Sequence, residues 1–305
     1  MAAIVMRSTD FPSIVAPILN KSFDGIYDQR KDEYLAFTRE EPGIERSYHE
    51  EPVLFGMGAA PEWPDGTPVP YQAGGQLFVA RYQYKVYGTA FAITRVLAED
   101  GDHIRIGKVF SEHAAQAVQE TLETNMAQIL NRAFNSAYPG GDGVSLCSPA
   151  HSIIGGFYSN QVNSAAMSQT SVEAMITAMM QAVDDTGKKI SVIPENFVVP
   201  PQQVLQAEVI VRSVLRTGTA NNDINPLNTM NLFPGGVKKV SRLTSGTAYF
   251  ITAGNIPNGI KRLTRGDVQK SMEGDFETDS MRYKIRHRYG QGWTSPRYIF
   301  GNQGL

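Results

Sequence analysis

The run from Ile104 to Tyr138 constrains the fold most. Phe110, Ala114, Ala117, Val118, Leu122, Met126, Ile129, Leu130, Ala133, Phe134 and Ala137 recur in steps of three and four. That spacing lines one stripe of a 3.6-residue helix. Glu112, Gln116, Gln119, Glu120, Glu123, Gln128 and Arg132 fall on the other face. Ser111 is a candidate N-cap with Glu112 near the positive end, and Pro139-Gly140-Gly141 cannot continue a helix. At about 1.5 Å per residue the rod is roughly 40 Å long or more, longer than most globular helices. Small residues interrupt its stripe and strand patterns flank it, so it is expected to lie across a sheet.

Around this spine the chain has room for one large domain or two ordinary ones, at 305 residues. Its net charge of -2 argues against a protein steered to nucleic acid by a strong field. Cys147 is the only cysteine, so no internal disulfide forms and a reducing compartment is expected. No apolar run reaches about 18 residues, and the first residues lack a signal-peptide pattern. These features point to a soluble intracellular chain with no membrane span.

Residues Thr9 to Tyr27 show helical spacing at Phe11, Ile14, Val15, Ile18, Leu19, Phe23 and Tyr27, with Pro17 expected to kink or end the segment. Asp24 to Ser47 is polar and irregular, suited to a surface arm that packs on its own domain or reaches a neighbour. Val53-Leu54-Phe55 is a short strand candidate. From Arg81 the residues alternate, with Arg81, Gln83 and Lys85 on one face and Tyr82, Tyr84 and Val86 on the other. Between these strands, Gly56 to Gly75 carries four prolines and Trp63. Loops this long generally bind something. Trp63 is either an anchor in a partner surface or folded back on its own domain.

After the spine, Val144 to Asn163 reads as a polar loop. Thr170 to Thr186 reads as a helix with a Thr170/Glu173 capping box, a core stripe of Val172, Met175, Ile176, Met179 and Val183, and Gly187 as its stop. A strand is expected over Ile190 to Val199, a helix from Pro200 to Arg216, and strand material around Val240 and Ala248 to Ile251. Helices alternating with short strands make an α+β or mixed fold.

The last stretch alternates in charge: Glu273, Asp275, Glu277 and Asp279, then Arg282, Lys284, Arg286 and Arg288. A hairpin about Ser280-Met281 pairs Asp279 with Arg282, Glu277 with Lys284, Asp275 with Arg286 and Glu273 with Arg288. Each pair contributes roughly 0.2–1 kcal/mol. Ser-Met is a poor tight turn, so a looser loop or pairing with a neighbouring chain stays open. A nucleic-acid strip from Arg282 to Tyr289 is disfavoured by the acids immediately upstream.

Motifs for catalysis are absent. There is no phosphate-binding Gly-x-x-x-x-Gly-Lys-Ser/Thr, and Gly56-Met57-Gly58 is not completed into a dinucleotide fingerprint. His49, His103, His113, His151 and His287 offer no metal-ligand spacing. Cys147 and His151 form the one weak candidate for a thiol nucleophile. No catalytic, cofactor or metal site is assigned.

Four stretches carry a resemblance. Ala137-Tyr138-Pro139-Gly140-Gly141-Asp142-Gly143, then Ser145-Leu146-Cys147-Ser148-Pro149-Ala150-His151 with Ser159-Asn160, resemble the Mu-like phage major head subunit and its tailed-phage relatives. So do Thr219 to Leu227 (Thr-Ala-Asn-Asn-Asp-Ile-Asn-Pro-Leu) and the closing Gly292 to Gly301. The resemblance implies an α+β capsid fold of the Hong Kong 97 type. Its parts would be an N-terminal arm at 1–48, an extended β-hairpin loop at 49–93, and a peripheral domain with the spine helix at 94–143. An axial α/β domain would follow at 144–258, with returning peripheral strands at 259–305.

The implied function is self-assembly, as hexamers and pentamers, into an icosahedral head enclosing double-stranded DNA without sequence-specific binding. A portal protein, a separate scaffolding protein and a decoration protein are the implied partners, and no cofactor is implied. Subunit contacts are expected at Trp63, Pro64, Arg81 and Tyr82, and at Glu273, Asp275, Glu277, Arg282, Lys284, Arg286 and Arg288. Some relatives join subunits through a Lys on the extended loop, but no Lys lies between His49 and Tyr84, so that cross-link is not expected. An encapsulin-type shell, or an α+β enzyme using Cys147, are the alternatives.

Overall fold

The computed structural model describes residues 11–29, 32–43, 46–94, 96–97, 103–216, 223–257, 259–275, 277–278 and 280–305. Helix α1 (Phe11–Tyr27) runs unbroken through Pro17. Val15, Leu19 and Phe23 are buried in a cluster with Ala114, Ala115, Val118, Tyr283 and Ile285. Three such side chains at about 1.5–3 kcal/mol each outweigh a proline cost of about 3 kcal/mol. The next segment is more ordered than its polarity predicts. A 3₁₀ turn at Glu33–Ala36 precedes β1 (Arg39–Pro42), and the fully buried Tyr34 and Phe37 pin it to the body.

The spine is α2 (His103–Asn131), 29 residues long. It begins eight residues before Ser111, which is buried within it and donates to the Leu19 carbonyl at 2.8 Å. Ser111 therefore ties two helices together and is not a cap. The helix stops seven residues short of the expected Tyr138. Asn131 faces the 242–244 segment, donating to the Arg242 carbonyl at 3.0 Å and accepting the Thr244 N–H at 2.9 Å. Ala133 then gives its carbonyl to the Cys147 N–H at 2.7 Å. The buried stripe includes Ala114, Val118, Leu122, Met126 and Leu130 as expected, whereas Phe110 and Ala117 face outward. Gln119 and Glu123 are buried instead of exposed.

Two sheets flank the spine. The first holds β1, β10 (Ile260–Thr264), β12 (Ser280–Trp293) and β11 (Gln269–Asp275) in that order, and β4 (Lys85–Thr94) also pairs with β12. β1 lies parallel to β10, and the other pairs are antiparallel. β2 (Tyr48–Phe55) and β3 (Gly75–Gln83) make a separate two-stranded ribbon. The second sheet runs β13 (Ile299–Asn302), β9 (Tyr249–Ala253), β7 (Pro194–Val199), β8 (Gly236–Lys239). β13 thus joins the second lobe, not the returning strands of the first. Its neighbouring residues enter different cores, Ile299 with the spine and Phe300 with the second lobe.

The second lobe adds a small hairpin, β5 (His151–Ile153) with β6 (Gly156–Tyr158), and α3 (Gln169–Met180), α4 (Val204–Arg212) and α5 (Pro226–Thr229). The cap of α3 is Ser168, which exchanges hydrogen bonds with Ser171, so the expected Thr170 box lies one turn fragment too late. Met175 and Met179 are fully buried. The expected third helix shortens to a 3₁₀ turn and α4, because Asn225 Nδ2 takes the carbonyls of Ile210 at 2.8 Å and Ser213 at 3.0 Å.

The central strands of this sheet are buried on both faces. Phe197, Val199, Tyr249 and Ile251 face the α3/α4 core, while Val198 and Phe250 face the spine core with Leu122, Met126 and Leu130. Gly301 sits at a close approach between the sheet and the end of the spine. A Cβ there would lie 2.7 Å from Cys147 Sγ and 2.9 Å from Phe134 Cζ. Gly301→Ala is expected to destabilise the fold by about 1–3 kcal/mol, read as a lower denaturant midpoint with unchanged slope.

Glu123 supplies a pH dependence. It is buried, and its carboxylate accepts the Glu33 N–H at 2.7 Å. Burial pushes its carboxyl up to about 7; the hydrogen bond from the Glu33 N–H and the charge of Arg242 oppose this, and the charges of Asp32 and Glu33 add to it. The folded chain therefore holds a proton that the unfolded chain releases nearer 4.5. The associated stability is full below that lower value and is lost as pH rises through about 7. Glu123→Gln should flatten this part of the profile, seen as a smaller difference between urea midpoints at acidic and at mildly alkaline pH.

Candidate assembly interface

The β2–β3 ribbon is pinned at its base, and its tip, where Lys188 Nζ donates to the Met57 carbonyl at 2.7 Å, keeps its aromatic side chains bare. Pairing runs from Tyr48 opposite Gln83 to Phe55 opposite Gly75. A lone two-stranded ribbon has little stability of its own, so the base carries the anchorage. Lys261 is almost fully buried, and its ammonium lies 2.8 Å from Glu51 and 3.1 Å from Glu41. Burial raises the Glu51 carboxyl, but hydrogen bonds from Lys261 and Thr294 more than offset it, and the net shift is downward. Ala80, Tyr82, Tyr84 and Leu263 form a small core beside this pair.

The tip, residues 56–74, is exposed except at Gln72. Trp63 donates to the Thr67 carbonyl at 2.6 Å, and Pro64 gives its carbonyl to the Thr67 hydroxyl at 2.7 Å. Those contacts close a local turn and seat the ring on no core. Trp63 stays 59% exposed and Tyr71 97% exposed, with Met57 and Val69 also bare. The indole is thus neither folded back on its own domain nor covered. Arg81 is exposed as expected, over the Tyr48 ring at 4.0 Å and 3.6 Å from Glu50. Tyr82 is not a surface residue: it is 2% exposed, its hydroxyl paired with Thr294.

The charged stretch folds in a different register from the expected one. β11 and β12 place Glu273 opposite Arg282, Ser271 opposite Lys284 and Gln269 opposite Arg286, with Asp275 opposite Ser280. Glu277 lies in the turn, and Asp279 lies outside the described residues. Asp275 pairs with Arg282, and its carboxyl is held low by the Thr278 hydroxyl and by Arg282. Of the expected pairs, none of the three among described residues forms. The observed register sets Met272 against Tyr283, in the α1 core. Met272 is partly buried there, and each methylene it removes from water contributes about 0.8 kcal/mol, at least as much as an exposed ion pair at about 0.2–1 kcal/mol.

These elements match known proteins. The sequence fits the family described as phage capsid protein over residues 79–302, well over half of the chain. The chain belongs to that family. Among curated proteins none matches it. Its fold is similar to the capsid of cyanophage P-SCSP1u at a TM-score of 0.59 and 12% identity, covering 88% of this chain and 86% of that one. It is similar to the procapsid protein of bacteriophage JBD30 at 0.52 and 14%, covering 97% and 76%. For Microbacterium phage Oxtober96 the values are 0.52 and 10%, covering 89% and 90%. The fold is that of Hong Kong 97-type capsids, and the protein is a major capsid protein with a structural role in the virion.

In this capsid protein the motif residues between Asp142 and Asn160 form a structural joint. Asn160 Nδ2 donates to the carbonyls of Leu146 at 2.8 Å, Pro296 at 2.8 Å and Ile299 at 3.0 Å. Its Oδ1 accepts the Ser148 N–H at 2.9 Å and faces His151 Nε2 at 3.0 Å. His151 Nδ1 lies 2.5 Å from Asp142. Cys147 is fully buried, and burial pushes its thiol up. A thiol with no exposed surface does not meet a substrate, which counts against the alternative of an enzyme built on Cys147. Lys261 carried no sequence signal, because its two acids come from separate segments. Lys261→Ala should leave Glu51 and Glu41 without their shared ammonium at the hairpin base and cost about 3–5 kcal/mol, measurable as a lower melting temperature.

Proposed function

We propose that copies of this chain assemble, as hexamers and pentamers, into the icosahedral head of a tailed phage around double-stranded DNA. Within the phage capsid family its motifs align it with Mu-like head subunits. Assembly takes place in the bacterial cytoplasm with a separate scaffolding protein and a portal protein, and a decoration protein is a further partner of the finished shell. The observation that carries the reading is the ribbon with a pinned base and a bare aromatic tip. A monomer gains nothing from holding Met57, Trp63, Val69 and Tyr71 in water on an anchored ribbon, whereas an assembling subunit can bury them in a neighbour.

A near-neutral subunit suits a container wall, because each phosphate contact adds salt-dependent affinity and would tie the genome to the shell. Cohesion comes from contacts that are modest singly and repeated many times. The residues proposed at these contacts are Trp63, Pro64 and Arg81, with Lys284, Arg286 and Arg288. Deleting Ala59 to Pro70 is expected to leave a soluble, folded subunit that forms no shells under electron microscopy. Shells of normal size from that variant would sink the assignment of the loop.

A further inference from the structure

The observed register of β11 and β12 leaves cations without acids. Arg282 has Asp275, and Glu273 stands opposite it. Lys284 and Arg286 are exposed, stand opposite Ser271 and Gln269, and make no ion pair among the described residues. Arg288 lies over the Tyr84 ring at 6.0 Å, and its Nε has no hydrogen-bond partner among the described residues. All four lie on one face of β12, since Tyr283, Ile285, His287 and Tyr289 fill the core on the other.

Arg265, Asp267, Gln269, Arg286 and Arg288 line a shallow groove of about 190 Å³ on this face, with a single acid among three guanidinium groups. Across β12, Ala92, Ala90 and Gly88 of β4 stand beside Arg282, Lys284 and Arg286. Val86 stands beside Arg288 and is exposed, so the strip is flat from Ala92 to Gly88, where an extended segment can lie, and ends at an isopropyl group.

The same chain carries a complementary segment. Between Gly56 and Ala80 there is no Lys, Arg or His, and the loop holds Glu62 and Asp65. Both acids are exposed, and both flank the bare Trp63-Pro64 turn. We propose that the Lys284–Arg286–Arg288 row receives the Glu62–Asp65 turn of a second copy, a heterologous contact in which each subunit donates one tip and accepts another. The inference rests on the shell reading above and adds its electrostatic half. The cationic row aligns the incoming tip, and the flat alanine strip leaves room for its aromatic groups.

The test is a charge swap in the full-length chain. The variant K284E/R286E should stay folded by circular dichroism and lose shells by about tenfold or more in sedimentation. E62K/D65K should do the same. Combining the four substitutions should restore shells and move the salt dependence back toward that of the parent. The proposal is overturned if K284E/R286E assembles like the parent, or if the combined variant is no better than either double. It is also overturned if K284E/R286E forms normal shells that fail only to retain DNA, which would make the row a phosphate contact. A parent chain that forms no shells at all would instead sink the shell reading, so the two failures are distinct.

Discussion

The structure depends on one constraint: a four-stranded sheet must be covered on both faces, and α2 supplies one of the covers. Val198 and Phe250 turn toward Leu122, Met126 and Leu130, while their neighbours Phe197, Val199, Tyr249 and Ile251 turn toward α3 and α4. Strands buried on both sides read as unbroken apolar runs, which is how Phe197-Val198-Val199 and Tyr249-Phe250-Ile251 read. The spine therefore belongs to two lobes at once. Its first half serves the α1 and β12 core, and its second half serves the sheet of the other lobe. Neither lobe has a complete core without it.

A beam shared in this way must be held in register along its length, and polar side chains do that. Ser111 holds α1, Glu123 holds the turn at Glu33, and Asn131 holds the 242–244 segment. Arg242 closes the set by reaching Glu33 at 3.3 Å and Glu120 at 2.5 Å. Asn160 and Asn225 do the same for irregular chain, each gathering backbone groups that no helix or strand serves. A buried amide is suited to this because it offers donors and an acceptor to carbonyls and N–H groups that would otherwise be stranded.

The spine and the methionine core of α3 were legible because each depends on periodicity, which one segment carries by itself. The ribbon was legible only in part, since the alternation over Arg81–Val86 runs across the break between β3 and β4, and β4 pairs with β12 instead of extending the hairpin. The register of β11 on β12 was not. Moving the partner of Arg282 from Asp279 to Glu273 is an even slip, so every acid stays on the face of every base and the alternation reads the same. The poor Ser-Met turn hints at the looser loop, but the register itself is decided by the fit of Met272 against Tyr283 and α1, and that is a tertiary fact. Glu123 and Lys261 were hidden for a related reason. Their partners are Glu33 and Arg242 for one, and Glu41 and Glu51 for the other, brought from distant segments. The end of α2 lies at Asn131 instead of Tyr138 because side-chain contacts stop it before Pro139 does.

The same slip has a consequence for assembly. Had the ladder closed as an unbroken set of acid–base rungs, the outer face of β12 would be neutral and self-contained. The register that packs Met272 on Tyr283 sets Glu273 opposite Arg282 and leaves Lys284 and Arg286 facing serine and glutamine. An exposed pair with an outside acid contributes only about 0.2–1 kcal/mol, too little to dimerise two subunits at ordinary concentration. In the proposed shell each subunit would make that contact twice, once as donor and once as acceptor, while every neighbour holds the geometry fixed. Contacts of that size then act together and remain individually reversible. A misplaced subunit can leave before the shell closes around it, which a single strong interface would prevent.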